Sequence, residues 1–178
     1  MGIVMDVSNL SYSDDYKLIF DDISFSLEES SVNALLCSNN SGKTTLISLL
    51  SGITPFKNGR VVINNIVLNK ENLKKYILNI STILEDIEEQ FICDTVEEEI
   101  KYPLINLRYS SSRISDLFEE IVSLLKISNI SNKRVKDLSY FEKVKVLIAA
   151  SVIHSPKVLL IDDIMRFLSK TEKQEIIN

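Results

Sequence analysis

The segment from Ser41 to Thr45 constrains the fold more than any other part of this chain. It reads Ser-Gly-Lys-Thr-Thr, follows the apolar run Val32–Leu36 and precedes a helical apolar pattern at residues 46–50. A strand, a tight loop and a helix opening with a lysine and a hydroxyl predict a phosphate site, because helix amides and an ammonium group bind anions. The amides of Ser41–Thr45, the Lys43 ammonium and the Thr44 hydroxyl, a potential Mg²⁺ ligand, are therefore candidates for binding a nucleoside triphosphate. The plain alternative is a glycine-ended turn beside a surface lysine.

Composition bounds the classes of protein that this chain can belong to. It has 178 residues, of which 45% are hydrophobic and 25% charged, as expected for one soluble globular domain. The net charge of −5 argues against a duplex-binding surface, so no nucleic-acid partner is predicted. Two irregularly placed cysteines predict neither a disulfide framework nor a metal site. No run approaches the roughly 18 apolar residues of a membrane-spanning helix, and the N-terminus does not read as a signal peptide.

Hydrophobic periodicity predicts an α/β order of elements. Strands are expected at Ile3–Leu10, Ile23–Leu27, Val32–Cys37, Arg60–Asn64, Ile80–Leu84 and Val158–Asp162. Helices are expected at Lys43–Ser51, Asn72–Leu78, Ser112–Leu125, Ser139–His154 and Thr171–Ile177. Asn64-Asn65 reads as a turn, and Thr95 with Glu98 as a helix N-cap with its reciprocal glutamate. Residues 86–150 are thus mainly helical, with strands on both sides.

Two acidic residues stand at the end of the last predicted strand. Asp162 ends a fully apolar run, where a carboxylate can hold Mg²⁺, and Asp163 can orient an attacking water. An acidic exit from a strand is the plain alternative.

Ser139 with Glu142 is explained by a helix-capping box alone. His154, the only histidine, ends a predicted helix, where a cation would interact favourably with the helix dipole.

The order of these segments resembles an ATP-binding cassette, the ATPase subunit of ABC transporters, from about Ile3 to the last residue. The matching stretches are Asp6–Tyr12, Leu49–Pro55 with Gly59–Val61, Gln90–Ile100, and Asp137–Ser139 running into Ser155–Asp162. The stretch Gln90–Ile100 is similar in particular to ATPases of energy-coupling-factor importers.

This resemblance implies a P-loop NTPase (RecA-like) α/β core with N-terminal antiparallel strands and an inserted helical subdomain. The core is expected at residues 1–85 and 151–178, and the helical subdomain at residues 86–150. ATP and Mg²⁺ are the implied cofactors. The implied partners are a second ABC ATPase subunit, in a homodimer or heterodimer, and an integral membrane transport subunit, at the cytoplasmic face of the cell membrane.

The resemblance also assigns site residues. Asn39 and Asn40 join Ser41, Gly42, Lys43, Thr44 and Thr45 in the phosphate loop. Tyr12, or alternatively Tyr16, is the candidate for the aromatic residue that stacks on adenine, and Asp14 stands near the family position. Ser139 belongs to the signature segment that faces the nucleotide of an opposing subunit. Asp163 takes the place of the catalytic glutamate, and Glu85 the place of a glutamine that senses Mg²⁺ and the membrane partner.

The departures from the family pattern bear on activity. Cys37 replaces the first glycine of the phosphate loop, and Tyr140 and Phe141 replace signature glycines that allow close approach to a partner's nucleotide. Asp163 is one methylene shorter than glutamate. The sequence therefore leaves two functions open: an ATP-hydrolysing transporter subunit, or a degenerate cassette that supports an intact partner. A small GTPase is disfavoured because an Asn-Lys-x-Asp guanine-reading segment is missing.

Overall fold

The computed structural model describes residues 2–14, 17–36, 38 and 41–177. The chain divides into two compact units. The first contains Met1–Thr82 and Pro156–Asp162, and the second contains Ile83–Ser155 and Asp163–Asn178. The fold class is α/β, as predicted, with antiparallel strands at the N-terminus.

A four-stranded antiparallel sheet forms much of the first unit. Its strands are β1 (Ile3–Asp14), β2 (Lys17–Glu28), β3 (Asn58–Ile63) and β4 (Ile66–Val67), in the order β2-β1-β3-β4. The first two are longer than the apolar pattern predicts, because backbone pairing continues through polar residues to Asp14 and Lys17. Asn64 and Asn65 have φ angles of 48° and 63° and join Ile63 to Ile66, which confirms the predicted turn as a two-residue hairpin.

The rest of the first unit packs on this sheet. It contains helices α1 (Lys43–Leu50) and α2 (Leu73–Ile77), strand β6 (Val158–Ile161), and all but the last residue of β5 (Ile80–Ile83), the strand that pairs with β6. The buried core joins α1 to the strands through Leu46, Leu49, Met5, Val7, Leu10, Val61, Ile63 and Val158. The buried Tyr76 hydroxyl donates to the Leu50 carbonyl at 2.6 Å, and burial raises the pKa of Tyr76. The C-terminal end of α1 is thereby fixed.

The predicted strand Val32–Cys37 is wrong for its described residues. Residues 32–36 form no strand, and Val32 and Leu36 are 102% and 90% exposed. An apolar segment forms a strand only if a neighbouring strand supplies hydrogen-bond partners for its backbone. Within the described residues no ladder includes this segment, whereas β5 and β6 pair with each other. Cys37 lies outside the described residues.

Helices dominate the second unit. They are α3 (Val96–Asn106), α4 (Ser111–Leu124), α5 (Tyr140–Val152) and α6 (Lys170–Ile177), with 3₁₀ turns at Glu88–Gln90, Ser128–Ile130 and Val135–Asp137. A separate core holds α3, α4 and α5 together through residues such as Ile100, Phe118 and Val146. The capping boxes predicted at Thr95 and Ser139 are confirmed, since serine or threonine and the glutamate three residues later exchange hydrogen bonds in both.

The interpretation of His154 as a cation at a helix end is wrong. Its side chain is half-buried just beyond α5, and Nδ1 has no hydrogen-bond partner among the described residues. Burial lowers the pKa of His154, because desolvation disfavours the imidazolium form. The imidazole is therefore neutral at pH 7 and offers the helix dipole no charge.

No helix in the described part of the chain is long and apolar enough to cross a membrane.

Candidate nucleotide site

Gly42 begins the candidate site, because its backbone turns the chain into α1. Its φ of 91° is left-handed, and a Cβ there would lie 2.6 Å from Ile19 Cγ2 and 2.9 Å from Phe20 Cζ. Conformation and space therefore both require glycine. Gly42 is also the N-cap of α1 and has no side chain to cap the helix, so the first helix amides remain available to an anion.

The first two side chains of α1 meet the end of β6. Thr44 Oγ1 donates to Asp162 Oδ2 at 2.6 Å, and Lys43 Nζ lies 3.7 Å from Asp162 Oδ1. Asp162 is completely buried, whereas 35% of the Lys43 side chain is exposed. The structure thus brings the ammonium and hydroxyl groups of two adjacent residues together with a carboxylate that lies more than 100 residues later in the sequence.

This arrangement has the donor set that a magnesium–phosphate group needs. Asp162 Oδ1 accepts no hydrogen bond from the described residues, and the Lys43 ammonium lies 3.7 Å from it. A buried carboxylate with so few partners is costly unless a cation or donor completes its surroundings. Mg²⁺ typically takes one or two protein oxygens and fills its other positions with phosphate and water. Thr44 and Asp162 fit that requirement, and the described residues contain no cluster of three or more acidic, histidine or cysteine ligands.

The remaining predicted residues of the first unit lie in different surroundings. Ser41 and Thr45 are half-buried on either side of Gly42 and Lys43, and Ser41 Oγ has no hydrogen-bond partner among the described residues. Tyr12 lies on β1, half-buried against the core, so its predicted contact with adenine stays a prediction. The predicted residues Asn39 and Asn40, and the alternative Tyr16, lie outside the described residues.

Glu85 belongs to the second unit and has a cationic partner there. Its Oε1 lies 3.4 Å from Arg166 Nη1, and both side chains are exposed. The loop that carries Glu85 is held by Gln90, which accepts from the Leu84 amide at 2.9 Å and donates to the carbonyls of Leu84 and Asp86 at 2.9 and 2.7 Å. Sequence reasoning missed the parts played by Gln90 and Arg166. No local signal marks Arg166, since 81 positions separate it from Glu85.

Asp163 directly follows Asp162 but belongs to the second unit. It is exposed, and its φ of 47° is left-handed, a conformation that aspartate tolerates better than most residues. Its carbonyl accepts from the Arg166 amide at 3.1 Å, which closes a tight turn after β6. Its predicted role, to orient an attacking water in the place of the family's catalytic glutamate, stays a prediction.

Ser139 is a helix cap in this structure. Its hydroxyl accepts from the Glu142 amide at 3.3 Å, and its amide donates to Glu142 Oε2 at 2.8 Å. The Ser139 hydrogen bonds, together with Lys133, lower the pKa of Glu142 despite partial burial. Structure alone therefore explains Ser139, and its contact with a nucleotide of another subunit stays a prediction.

A cavity of about 420 Å³ in the second unit contains none of the predicted site residues. It is lined by Glu88, Phe91, Cys93, Asp94, Arg134, Val135 and Lys136. Burial and the neighbouring carboxylates of Glu99, Glu98 and Asp94 raise the pKa of the Cys93 thiol, which opposes thiolate chemistry there. The candidate phosphate and magnesium ligands Lys43, Thr44 and Asp162 thus lie at the N-terminus of α1 and the end of β6, and not in this cavity.

Comparison with known proteins identifies the family. Residues 20–166 match the family described as ABC transporter. The chain belongs to the ABC transporter family. The predicted resemblance to cassette ATPases is therefore confirmed.

Similar proteins include ATP-binding subunits of energy-coupling-factor transporters, which confirms the predicted subgroup. The energy-coupling factor transporter ATP-binding protein EcfA of Aster yellows witches'-broom phytoplasma is 29% identical over 97% of this ABC-family chain and 64% of its own length. EcfA1 of Mesomycoplasma hyopneumoniae strain J is 28% identical over 90% of this chain and 59% of its own length. The chain thus spans less than two thirds of these curated relatives.

A solved structure supports the fold of this ABC-family chain. It is cbiO1 from Clostridium perfringens, described as part of the ABC transporter complex cbiONQ. Its TM-score is 0.89 and its identity 23%, with coverage of 98% of this chain and 71% of that one. The predicted P-loop NTPase fold is therefore confirmed.

Proposed function

We propose that this chain is the nucleotide-binding part of an ATP-binding subunit in an ABC transporter of the energy-coupling-factor type. The observation that carries the proposal is the contact of Asp162 with Thr44 at 2.6 Å and with Lys43 at 3.7 Å, beside the uncapped start of α1. ATP and Mg²⁺ are the ligands that this set of amides, ammonium, hydroxyl and carboxylate suits.

Each group would have a distinct task. The helix amides and Lys43 would bind the phosphate oxygens, while Thr44 and Asp162 would hold Mg²⁺ directly or through water. Bound Mg²⁺ neutralises negative charge on the phosphates. Asp163 would orient water and accept its proton, and Glu85 would assist at the metal. The Arg166 guanidinium, 3.4 Å from Glu85, would offset part of the Glu85 charge.

The names of the relatives support a proposal for the partners. ATP-binding subunits of transporters are named among them, so we propose a second ATPase subunit and an integral membrane transport subunit as partners, with the chain peripheral at the cytoplasmic face. An intact partner cassette suits this chain best, because Tyr140 and Phe141 occupy the signature positions where the family has glycine.

A degenerate cassette with slow hydrolysis is the form of this function that we favour. Tyr140 and Phe141 add bulk where backbone must approach a partner's nucleotide, and Asp163 is shorter than the family's glutamate. A displacement of a reacting group by about 1 Å can cost roughly 10²-fold in rate. Turnover well below the enzyme median of about 10 s⁻¹ is therefore proposed.

Thermal unfolding with a non-hydrolysable ATP analogue and Mg²⁺ tests the binding function. The analogue should raise the melting temperature of the unaltered protein, because a ligand that binds only the folded state stabilises it. Lys43→Ala should weaken binding by roughly 10- to 100-fold, as expected for the loss of charged hydrogen bonds. Lys57→Ala is the matched control, since Lys57 is an exposed lysine of the same unit. Equal stabilisation of both variants by the analogue would refute the assignment of Lys43.

A further inference from the structure

Tyr140 uses its hydroxyl within its own unit. It is the first residue of α5, and its phenol donates to the Ile164 carbonyl at 2.9 Å. Ile164 is completely buried, so water cannot replace that donor while the protein is folded. The side chain at a position where the family signature has glycine thus satisfies a buried carbonyl next to Asp163.

A second contact ties Tyr140 to the same turn. Its ring meets the Phe167 ring edge-on, with centroids 5.5 Å apart and planes at 83°. Two backbone hydrogen bonds span the same segment: the Arg166 amide donates to the Asp163 carbonyl at 3.1 Å, and the Leu168 amide donates to the Met165 carbonyl at 3.2 Å. Residues 163–168 are therefore a hydrogen-bonded turn, and Tyr140 contacts it at two places.

The turn needs such support because of its first residue. Asp163 has a φ of 47°, and a residue other than glycine keeps a left-handed conformation only when its surroundings hold it there. The pKa of Tyr140 agrees with a short distance between its phenol and the acidic residues of this unit. Burial, followed by the carboxylates of Asp163 and Glu85, raises the pKa of Tyr140, so the phenol remains a neutral donor at pH 7.

We propose that Tyr140 is a positioning residue, which fixes the turn that presents Asp163 by binding the Ile164 carbonyl and packing on Phe167. The aromatic side chain that replaces a signature glycine thereby orients the acidic residue after β6. The consequence for catalysis rests on the proposed function, because it assumes that Asp163 serves ATP hydrolysis. The positioning itself does not depend on nucleotide.

Tyr140→Phe tests this directly, since it removes the hydroxyl and keeps the ring on Phe167. Amide hydrogen exchange of residues 164–168, measured without nucleotide, should accelerate by about three- to tenfold, which corresponds to the loss of one hydrogen bond. Tyr76→Phe is the matched control, because it also removes a phenol that donates to a backbone carbonyl, but in the first unit. Tyr76→Phe should lower the free energy of unfolding of the whole protein. The exchange rates of residues 164–168, compared with those of other amides of the second unit, should stay unchanged.

The rate of ATP hydrolysis is a measurement that a purely structural role of Tyr140 would leave unchanged. Under single-turnover conditions with Mg²⁺ and ATP, Tyr140→Phe should lower the hydrolysis rate several-fold without changing ATP affinity. Unchanged exchange at residues 164–168, or a change matched by Tyr76→Phe, would overturn the positioning role. Accelerated exchange with an unchanged hydrolysis rate would overturn its link to Asp163. An absence of nucleotide binding in the unaltered protein would instead refute the proposed function, while the exchange result would still decide the positioning.

Discussion

At the scale of single residues, the site divides into groups that local sequence predicts and groups that it does not. Gly42, Lys43 and Thr44 could be identified because their chemistry is contiguous and opens a helix. Asp162 could be identified because it ends an apolar strand. The Arg166–Glu85 ion pair could not, since it joins distant exposed side chains that carry no pattern.

Asp163 invites a prediction at this scale. Replacing it by glutamate extends the carboxylate by one methylene, so Asp163→Glu should raise ATP turnover by about 10- to 100-fold if distance limits the reaction. The left-handed backbone is less suited to glutamate, which keeps the expected gain below the upper figure. Release of labelled phosphate under single-turnover conditions measures the effect. Asp163→Asn is the control and should lower turnover, whereas equal rates in all three proteins would contradict the assignment.

At the scale of elements, helix boundaries were predictable and one strand was not. Capping boxes at Thr95 and Ser139 mark helix starts because they satisfy specific backbone amides within four residues. A strand depends on a partner that lies far away in sequence. The segment 32–36 has the apolar composition of a strand, yet in the described residues it has no ladder partner.

The end of α5 supplies a prediction about pH. The pKa of His154 is lowered in the folded state by burial, so below its ordinary value of 6.5 the unfolded chain binds the proton first. The free energy of unfolding should therefore fall as pH drops from about 6.5 towards the folded-state pKa. His154→Gln removes this contribution, and urea unfolding at pH 7 and pH 5 should show a smaller acid-side loss in the variant. An identical loss in both proteins would contradict a desolvated neutral imidazole.

At the scale of the whole molecule, the sequence specified the family better than the detailed arrangement. The α/β class and the ABC family could be predicted from the order of several separate segments. The missing strand at residues 32–36 does not change that order. The way in which the chain divides into compact units depends on many weak contacts, which periodicity does not encode. The division of the chain into a core at 1–85 and 151–178 and a helical part at 86–150 remains our proposal for its domains.

The most direct test of the account is calorimetric binding of an ATP analogue, with and without Mg²⁺, to the unaltered protein and to Asp162→Asn. Asparagine keeps the size of the side chain and can still accept from Thr44, but it removes the negative charge that a metal requires. We predict that Mg²⁺ strengthens binding to the unaltered protein and has little effect on the variant. Equal enhancement by Mg²⁺ in both proteins would contradict the claim that Asp162, Thr44 and Lys43 form a magnesium–phosphate site.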